Sequence, residues 1–432
     1  MGKSKKLNLT EAISMAVGTM IGASIFSIFG LGAKIAGKDL ALAFILSGFY
    51  ALIVAYSYSK LGSRIVSNAG PIAFIRKGLG ENLLTGTLSI LMWFTYVISI
   101  ALFVTGFAGY LLPLFNIEST TVSAGIVKTA AVLFFTSLHF YGSKAVGKAE
   151  IYFVLAKLTI LLLFILGGFL RIEGENITPQ FDPEHTSGLL YASVIFFLSY
   201  MGFGLITNTS ENIKKPHKNV PLAIFISIII VMGIYVLISL VTLGNLPVEE
   251  VVKVQENALA EAAKPFLGQT GFLLISAGAI FSLSSALNAT IFGGANIAYS
   301  LAKDGELPKI FERKLWFKST EGLFITAGLG LFLALFFNLG EIATITSTIF
   351  TVIYIFVVVS HFKLINVVGG KKLLLILHLL ILFAIFGVLM KYQWDTQPAA
   401  FFASIYIFAG GFLLEYIYRK IQSRKFKKAR KM

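Results

Sequence analysis

The chain has 432 residues, 56% of them hydrophobic and only 13% charged, with a mean hydropathy of +0.83, so water is not its main solvent and a soluble globular class is excluded. The net charge of +15 points to topology rather than to a nucleic-acid partner, because 28 of the 36 Lys and Arg residues fall before the first apolar run, in alternate loops and in the C-terminal tail. With no cysteine, disulfides, thiolate metal sites and cysteine nucleophiles are ruled out.

Apolar runs of 18 residues or more read as membrane spans. They fall near 10–34, 40–61, 84–112, 122–141, 149–170, 187–210, 219–244, 269–302, 321–338, 341–360, 373–391 and 398–418. The charge asymmetry places both termini in the cytoplasm, in a multi-pass protein of the cell membrane. Met1 to Lys6 leads into a span too long to be the core of a signal peptide. The whole chain, 1–432, reads as one transmembrane domain, with a basic tail (419–432) that suits anionic lipid.

Two spans are not ordinary. The first carries Gly18, Gly22, Ala23 and Ser24, and the sixth carries Ser199, Gly202 and Gly204, each near mid-membrane. Glycine costs a helix interior up to about 1 kcal/mol against alanine, so these clusters invite unwinding. Gly18 and Gly22 alone would fit a helix-packing motif. A matching break in span six, which would open the second half of a five-plus-five repeat, points instead to a transporter binding site. Unwound backbone in lipid must line a cavity or be buried in protein. Free N–H groups after Gly22 would face an anion and unwound carbonyls would accept from an ammonium, matching both ends of an α-amino acid.

Later in the chain, the loop from Asn245 to Thr270 holds Glu249, Glu250, Glu256 and Glu261 among alanines and predicts a short helical lid on the outer face. Tyr392 and Trp394 read as an outer interface belt. Span three offers Trp93, Thr95, Tyr96 and Ser99, and span eight Ser282, Ser285 and Asn288, as side chains that could shape a pocket.

The chain resembles the amino acid–polyamine–organocation (APC) superfamily, most closely its prokaryotic proton-dependent amino acid transporters, nearly end to end. The resemblance rests on Ala16-Val-Gly-Thr-Met-Ile-Gly-Ala-Ser-Ile-Phe26, on Ser67-Asn-Ala-Gly-Pro-Ile-Ala-Phe74, on Phe196-Phe-Leu-Ser-Tyr-Met-Gly-Phe-Gly204 and on Ala298-Tyr-Ser-Leu-Ala-Lys-Asp-Gly-Glu-Leu-Pro308. It implies an all-α integral membrane protein with a LeuT-like inverted repeat (1–170 and 187–360) plus two helices (373–418), spans one and six broken, and alternating access. It further implies that the substrate carboxylate meets the amides of Gly22, Ala23 and Ser24, and the amine the carbonyls of Thr19, Met20, Leu198, Ser199 and Met201 beside Gly202. Tyr200 and Phe203 become candidate gate residues. Many relatives carry an acidic residue where this chain has Gly204, so that carboxylate's role does not transfer.

Lys157 lies nine residues past Lys148, roughly 13 Å into a core of about 30 Å. An ammonium at that depth loses hydration, which favours its neutral form, so it is expected to load and release a proton. In sodium-coupled relatives of this fold a Na⁺ lies between spans one, five and eight, and the resemblance puts the Lys157 amine there, with Gly18, Ser284 and Ser285 as neighbours. The alternative is a structural cation held permanently by carbonyls. Intramembrane ionisable residues are functional candidates by default.

The expected function is sodium-independent, proton-coupled amino acid symport with broad neutral or apolar specificity, the partners being substrate, proton and bilayer. Exchange or facilitation without proton coupling is the alternative within transporters. A channel would need a repeated filter that the chain lacks. No zinc-protease motif, Gly-x-Ser-x-Gly elbow, intramembrane aspartate pair or P-loop occurs, so neither an enzyme nor a cofactor or metal is expected. Oligomeric state is open.

Overall fold

The computed structural model describes residues 6–67, 69–139, 146–180, 182–314 and 320–422, with the side chains of 22–24, 146–153, 183 and 184 outside the description. The first half runs α1 (Leu9–Ser27), α2 (Phe29–Ala36), α3 (Leu40–Arg64), α4 (Pro71–Leu79), α5 (Leu83–Leu114), α6 (Thr121–Leu138) and α7 (Val146–Phe169). The second half opens with α8 (Pro183–Phe196), a 3₁₀ stretch (Phe197–Phe203) and α9 (Gly204–Asn208), which together make span six. It continues with α10 (Pro216–Asn245), α11 (Val248–Val254), α12 (Ala258–Ala262), α13 (Lys264–Lys303), α14 (Glu321–Phe336) and α15 (Leu339–Lys363). A short α16 (Ile365–Val368) leads to α17 (Lys372–Thr396) and α18 (Pro398–Ile421). Among the described residues, ten apolar stretches are long enough to cross a bilayer, and two shorter ones within α7 and α14 bring the crossings to the twelve expected.

Local chemistry sets several boundaries. Asn82, Thr120 and Asn338 each form a reciprocal capping box at the start of α5, α6 and α15. The surface is inverted relative to a soluble protein. Val122, Leu170, Leu373 and Tyr406 are more than two-thirds exposed, while Ser47, Ser227, Ser239, Thr346 and Thr351 are buried. The buried hydroxyls mostly return to carbonyls of their own helices, as Ser47 does to Ala43 and Thr351 to Ser347. Tyr392 is a correction: it is buried against Tyr191, and only Trp394 has the exposure of an interface residue.

Span one breaks later than expected. Helix α1 winds on to Ser27 and the interruption falls at Ile28 (φ −116°, ψ 7°), not between Gly18 and Ser24. The described glycine there serves close approach instead: a Cβ on Gly18 would lie 2.5 Å from Val154 Cγ2 in α7. Span six is interrupted where expected, tightening to 3₁₀ winding from Phe197 to Phe203.

The face that carries the termini is tied by polar contacts. The Leu7 amide donates to Asn212 O, and Arg76 in α4 bridges Asp304 at 3.0 Å and Glu306 at 2.6 Å in the loop after α13. Arg419, paired with Glu415 one turn back in α18, ties that helix to the start of α5 by donating to Asn82 O. At the opposite, distal face, α11, a 3₁₀ turn (Gln255–Asn257) and α12 form the lid. That lid seats on spans one and three: a Cβ on Gly30 would fall 2.2 Å from Gln255 O, and one on Gly109 would fall 2.3 Å from Glu256 Oε2.

Candidate substrate site

A cavity of about 230 Å³ lies beside the 3₁₀ segment of span six. Span one lines it with Gly18, Thr19 and Met20, span six with Leu198, Ser199, Met201 and Gly202. Span three adds Met92, Thr95, Tyr96 and Ser99, span five Val154 and Lys157, span eight Ser285 and Thr290. Pro71, Asn208, Phe350 and Tyr354 also belong to the lining, whereas none of the described lid residues does.

Two close approaches build this wall. A Cβ on Gly202 would lie 2.7 Å from Met20 Cγ and 2.8 Å from Met20 N, so only glycine lets the 3₁₀ segment press onto α1. Gly18 does the same for α7, and the Lys157 ammonium donates to Gly18 O across that contact. Lys157 is 6% exposed, and among the described lining residues there is no carboxylate. Ser285 shares the cavity with Lys157, whereas Ser284 is not part of its lining.

Several expected pocket residues face elsewhere. Trp93 donates to Thr326 Oγ1 at 3.1 Å and packs against Phe311, because an indole N–H buried among apolar groups must find a partner. The Tyr200 hydroxyl donates to Phe44 O at 2.8 Å, and Phe203 is buried against Tyr58 and Tyr354, so neither lines the cavity. Asn288 is absent from the lining as well. The side chains of Gly22, Ala23 and Ser24 lie outside the described residues.

The sequence reading missed Tyr235 in α10. Its hydroxyl donates to Met20 O at 2.6 Å and approaches Ser199 O at 3.3 Å, joining spans one and six from behind. The one tyrosine of a span rich in isoleucine, valine and leucine was the available signal. Ser199 Oγ, 2% exposed, has no hydrogen-bond partner among the described residues, and Thr19 Oγ1 returns to Met15 O at 2.8 Å.

Such a wall suits a small zwitterion, since it mixes backbone carbonyls, one unsatisfied hydroxyl and an apolar floor. The profile of the amino acid permease family matches residues 7–409. The chain belongs to the amino acid permease family. This permease is 60% identical over 424 residues to an uncharacterised protein of Methanocaldococcus jannaschii, covering 98% of each chain. It is 30% identical over 428 residues to the inner membrane transport protein YbaT of Escherichia coli, covering 98% of this chain and 97% of the relative. It is 29% identical over 392 residues to the methylthioribose transporter of Bacillus subtilis, covering 84% and 83%. The permease is thus a membrane transporter of the APC superfamily.

Proposed function

We propose that this permease is a sodium-independent, proton-coupled amino acid symporter that works by alternating access, with both termini in the cytoplasm. The observation that carries the reading is the Lys157 ammonium, 6% exposed at the cavity wall and donating to Gly18 O. A fixed positive charge there repels a metal cation, strongly so at about 4 Å in a low-dielectric interior. The same amine, when neutral, releases that electrostatic hold between α7 and α1, which supplies a way for proton binding to bias the position of span one.

Substrate recognition follows from the backbone. Carbonyls of Met20 and Ser199 serve the ammonium common to all amino acids, and the amides following Gly22 serve the carboxylate. Met92, Leu198, Met201 and Phe350 give the cavity an apolar floor, which favours small neutral or apolar side chains. A volume of about 230 Å³ is below the roughly 300–1,000 Å³ of pockets that hold drug-sized ligands, as a small metabolite requires.

Purified protein in liposomes tests both parts. A competition panel of the twenty amino acids, with methylthioribose as comparator, is expected to show broad competition by small neutral compounds. Lys157→Ala is expected to keep measurable binding and to lose accumulation driven by a pH gradient. Undiminished pH-driven accumulation by that variant sinks the coupling role.

A further inference from the structure

We propose that His361 and His378 form a proton-sensitive joint on the face that carries the termini, which holds α15 and α17 to α3 beside the cavity and loosens when that side turns acidic. That this is also the side to which a symporter delivers its protons rests on the function proposed above; the joint itself does not. The ring of Tyr56 in α3 touches both imidazoles, with centroids 5.6 Å away in each case. His361 is fully buried and His378 is 5% exposed. His361 Nε2 lies 2.8 Å from Gly369 O, and its Nδ1 lies 3.0 Å from Ser57 Oγ. A carbonyl only accepts, so Nε2 carries the proton and the Ser57 hydroxyl donates to a bare Nδ1. The hydrogen bonds of the joint are thus those of a neutral imidazole. His378 Nδ1 has no hydrogen-bond partner among the described residues.

The turn that closes the joint depends on glycine. Gly369 and Gly370 have φ of 77° and 132°, and a Cβ on Gly370 would lie 3.0 Å from His361 Nε2 and 3.3 Å from Tyr56 Oη. Toward this face, the described charges on the surrounding elements are basic or already paired. Lys60 follows Tyr56 by one turn of α3, Lys363 ends α15, and Lys371 and Lys372 open α17. Helix α4, packed on Ser360 through Gly78, carries Lys77 and an Arg76 that is paired with Asp304 and Glu306, while Glu415 of α18 is paired with Arg419. Protonation of His361 at Nδ1 also sets two donors face to face until Ser57 turns its hydroxyl away. The packed joint therefore resists protons that the same imidazoles accept once water reaches them. Above about 6.5, the ordinary imidazole value, both arrangements are neutral and the joint holds; below it the opened arrangement takes up protons and is favoured. The cavity feels this because Tyr58, next to Ser57, and Tyr354, two turns before His361, both line it and meet edge to face at 5.8 Å.

Two measurements test the joint. Because the chain has no cysteine, spin labels at Arg64→Cys and Leu373→Cys report the separation of α3 and α17 in nanodiscs. Exchange of labelled L-alanine, at equal concentration inside and outside right-side-out vesicles, reads transport without net proton flux while only the internal pH is varied. On going from pH about 7.5 to about 5.5, a wider spin separation and an exchange rate lower by about threefold are expected. His361→Gln with His378→Phe, which keeps a donor, an acceptor and a ring but nothing that titrates, is expected to abolish both changes and to exchange normally at the higher pH. Lys157→Ala is expected to keep the widening. A separation that stays constant in the parent, that widens equally in the double variant, or that no longer widens in Lys157→Ala overturns the inference, as does exchange in the double variant with the parent's pH dependence. Should the double variant not fold, the separations in the parent and in Lys157→Ala decide. Vesicles without alanine exchange overturn the substrate reading, and pH-driven accumulation by Lys157→Ala overturns the coupling; neither touches the spin measurement.

Discussion

Glycine 202 shows how much a single hydrogen atom in place of a methyl group decides. Met20 N would be 2.8 Å from a Cβ at that position, and the obstacle is backbone, which cannot swing away. Gly202→Ala is therefore expected to part spans one and six and to weaken substrate binding at least tenfold, as read by alanine protection against thermal unfolding. Gly387→Ala in α17 is the matched control: nothing lies within 4 Å of its Cβ, so a slight gain in stability of up to about 1 kcal/mol is expected. Charged residues separate in the same way. Arg76 meets Asp304 and Glu306 at similar distances, but the Asp304 side chain is 52% exposed and that of Glu306 only 5%. Asp304→Ala is expected to cost at most about 1 kcal/mol. Glu306→Ala, which strips a more deeply buried partner from Arg76, is expected to cost several times that, measured as the shift in thermal unfolding. Lys157 was legible in the sequence because a cation in an apolar run is conspicuous. Trp93, Tyr200 and Phe203 were misplaced because a span's sequence names its residues without saying which side of the helix meets the cavity.

Among the elements, the lid carries the clearest consequence. Its glutamates and alanines mark it in the sequence, but only packing shows what it locks. The Gln255 carbonyl sits on Gly30 and the Glu256 side chain on Gly109, which joins the distal ends of spans one and three. Burial raises the pKa of the Glu256 carboxyl above its ordinary value, with attraction to Lys128 opposing in part. The closed lid thus binds a proton more tightly than an open one, in which Glu256 meets water. Closure is most stable below the ordinary carboxylate value, about 4.3, and weakens as pH rises through the higher value of the closed state. Because the chain has no cysteine, a single one placed at Ser99 in the cavity reports lid opening to an impermeant thiol reagent in intact cells. Labelling is expected to rise with external pH, and Glu256→Gln is expected to flatten that dependence. Gly30→Ala, which forces the Gln255 carbonyl away, is expected to give high labelling at every pH. The break in span one belongs to this scale too. Two glycines predicted unwinding at Gly18 to Ser24, yet the described glycine of the pair went to helix contact, and chain direction changes at Ile28 where α2 turns beneath the lid.

For the molecule as a whole, twelve crossings place residue 6 and residue 422 on one face, and the basic loops gather there. Tags at both ends are expected to be protected from protease in intact cells and cleaved after lysis; a tag cleaved from outside would reverse the assignment of faces. The lid is seated on Gly30 and Gly109, and the cavity lining includes Pro71 and Asn208. The hydrophobic runs, their lengths and the sign of the loops between them were enough to determine that the chain spans a bilayer many times, and its motifs to determine its family. Those properties depend on composition along the chain, because hydrocarbon demands continuous apolar segments with satisfied backbone. The pairing of Lys157 with Gly18, the contact of Gly202 with Met20 and the reach of Tyr235 to two carbonyls were decided only in three dimensions. Each joins residues more than a hundred positions apart, except for the Tyr235 contact to Ser199, and close packing of helices sets their distances to tenths of an ångström that no local pattern records.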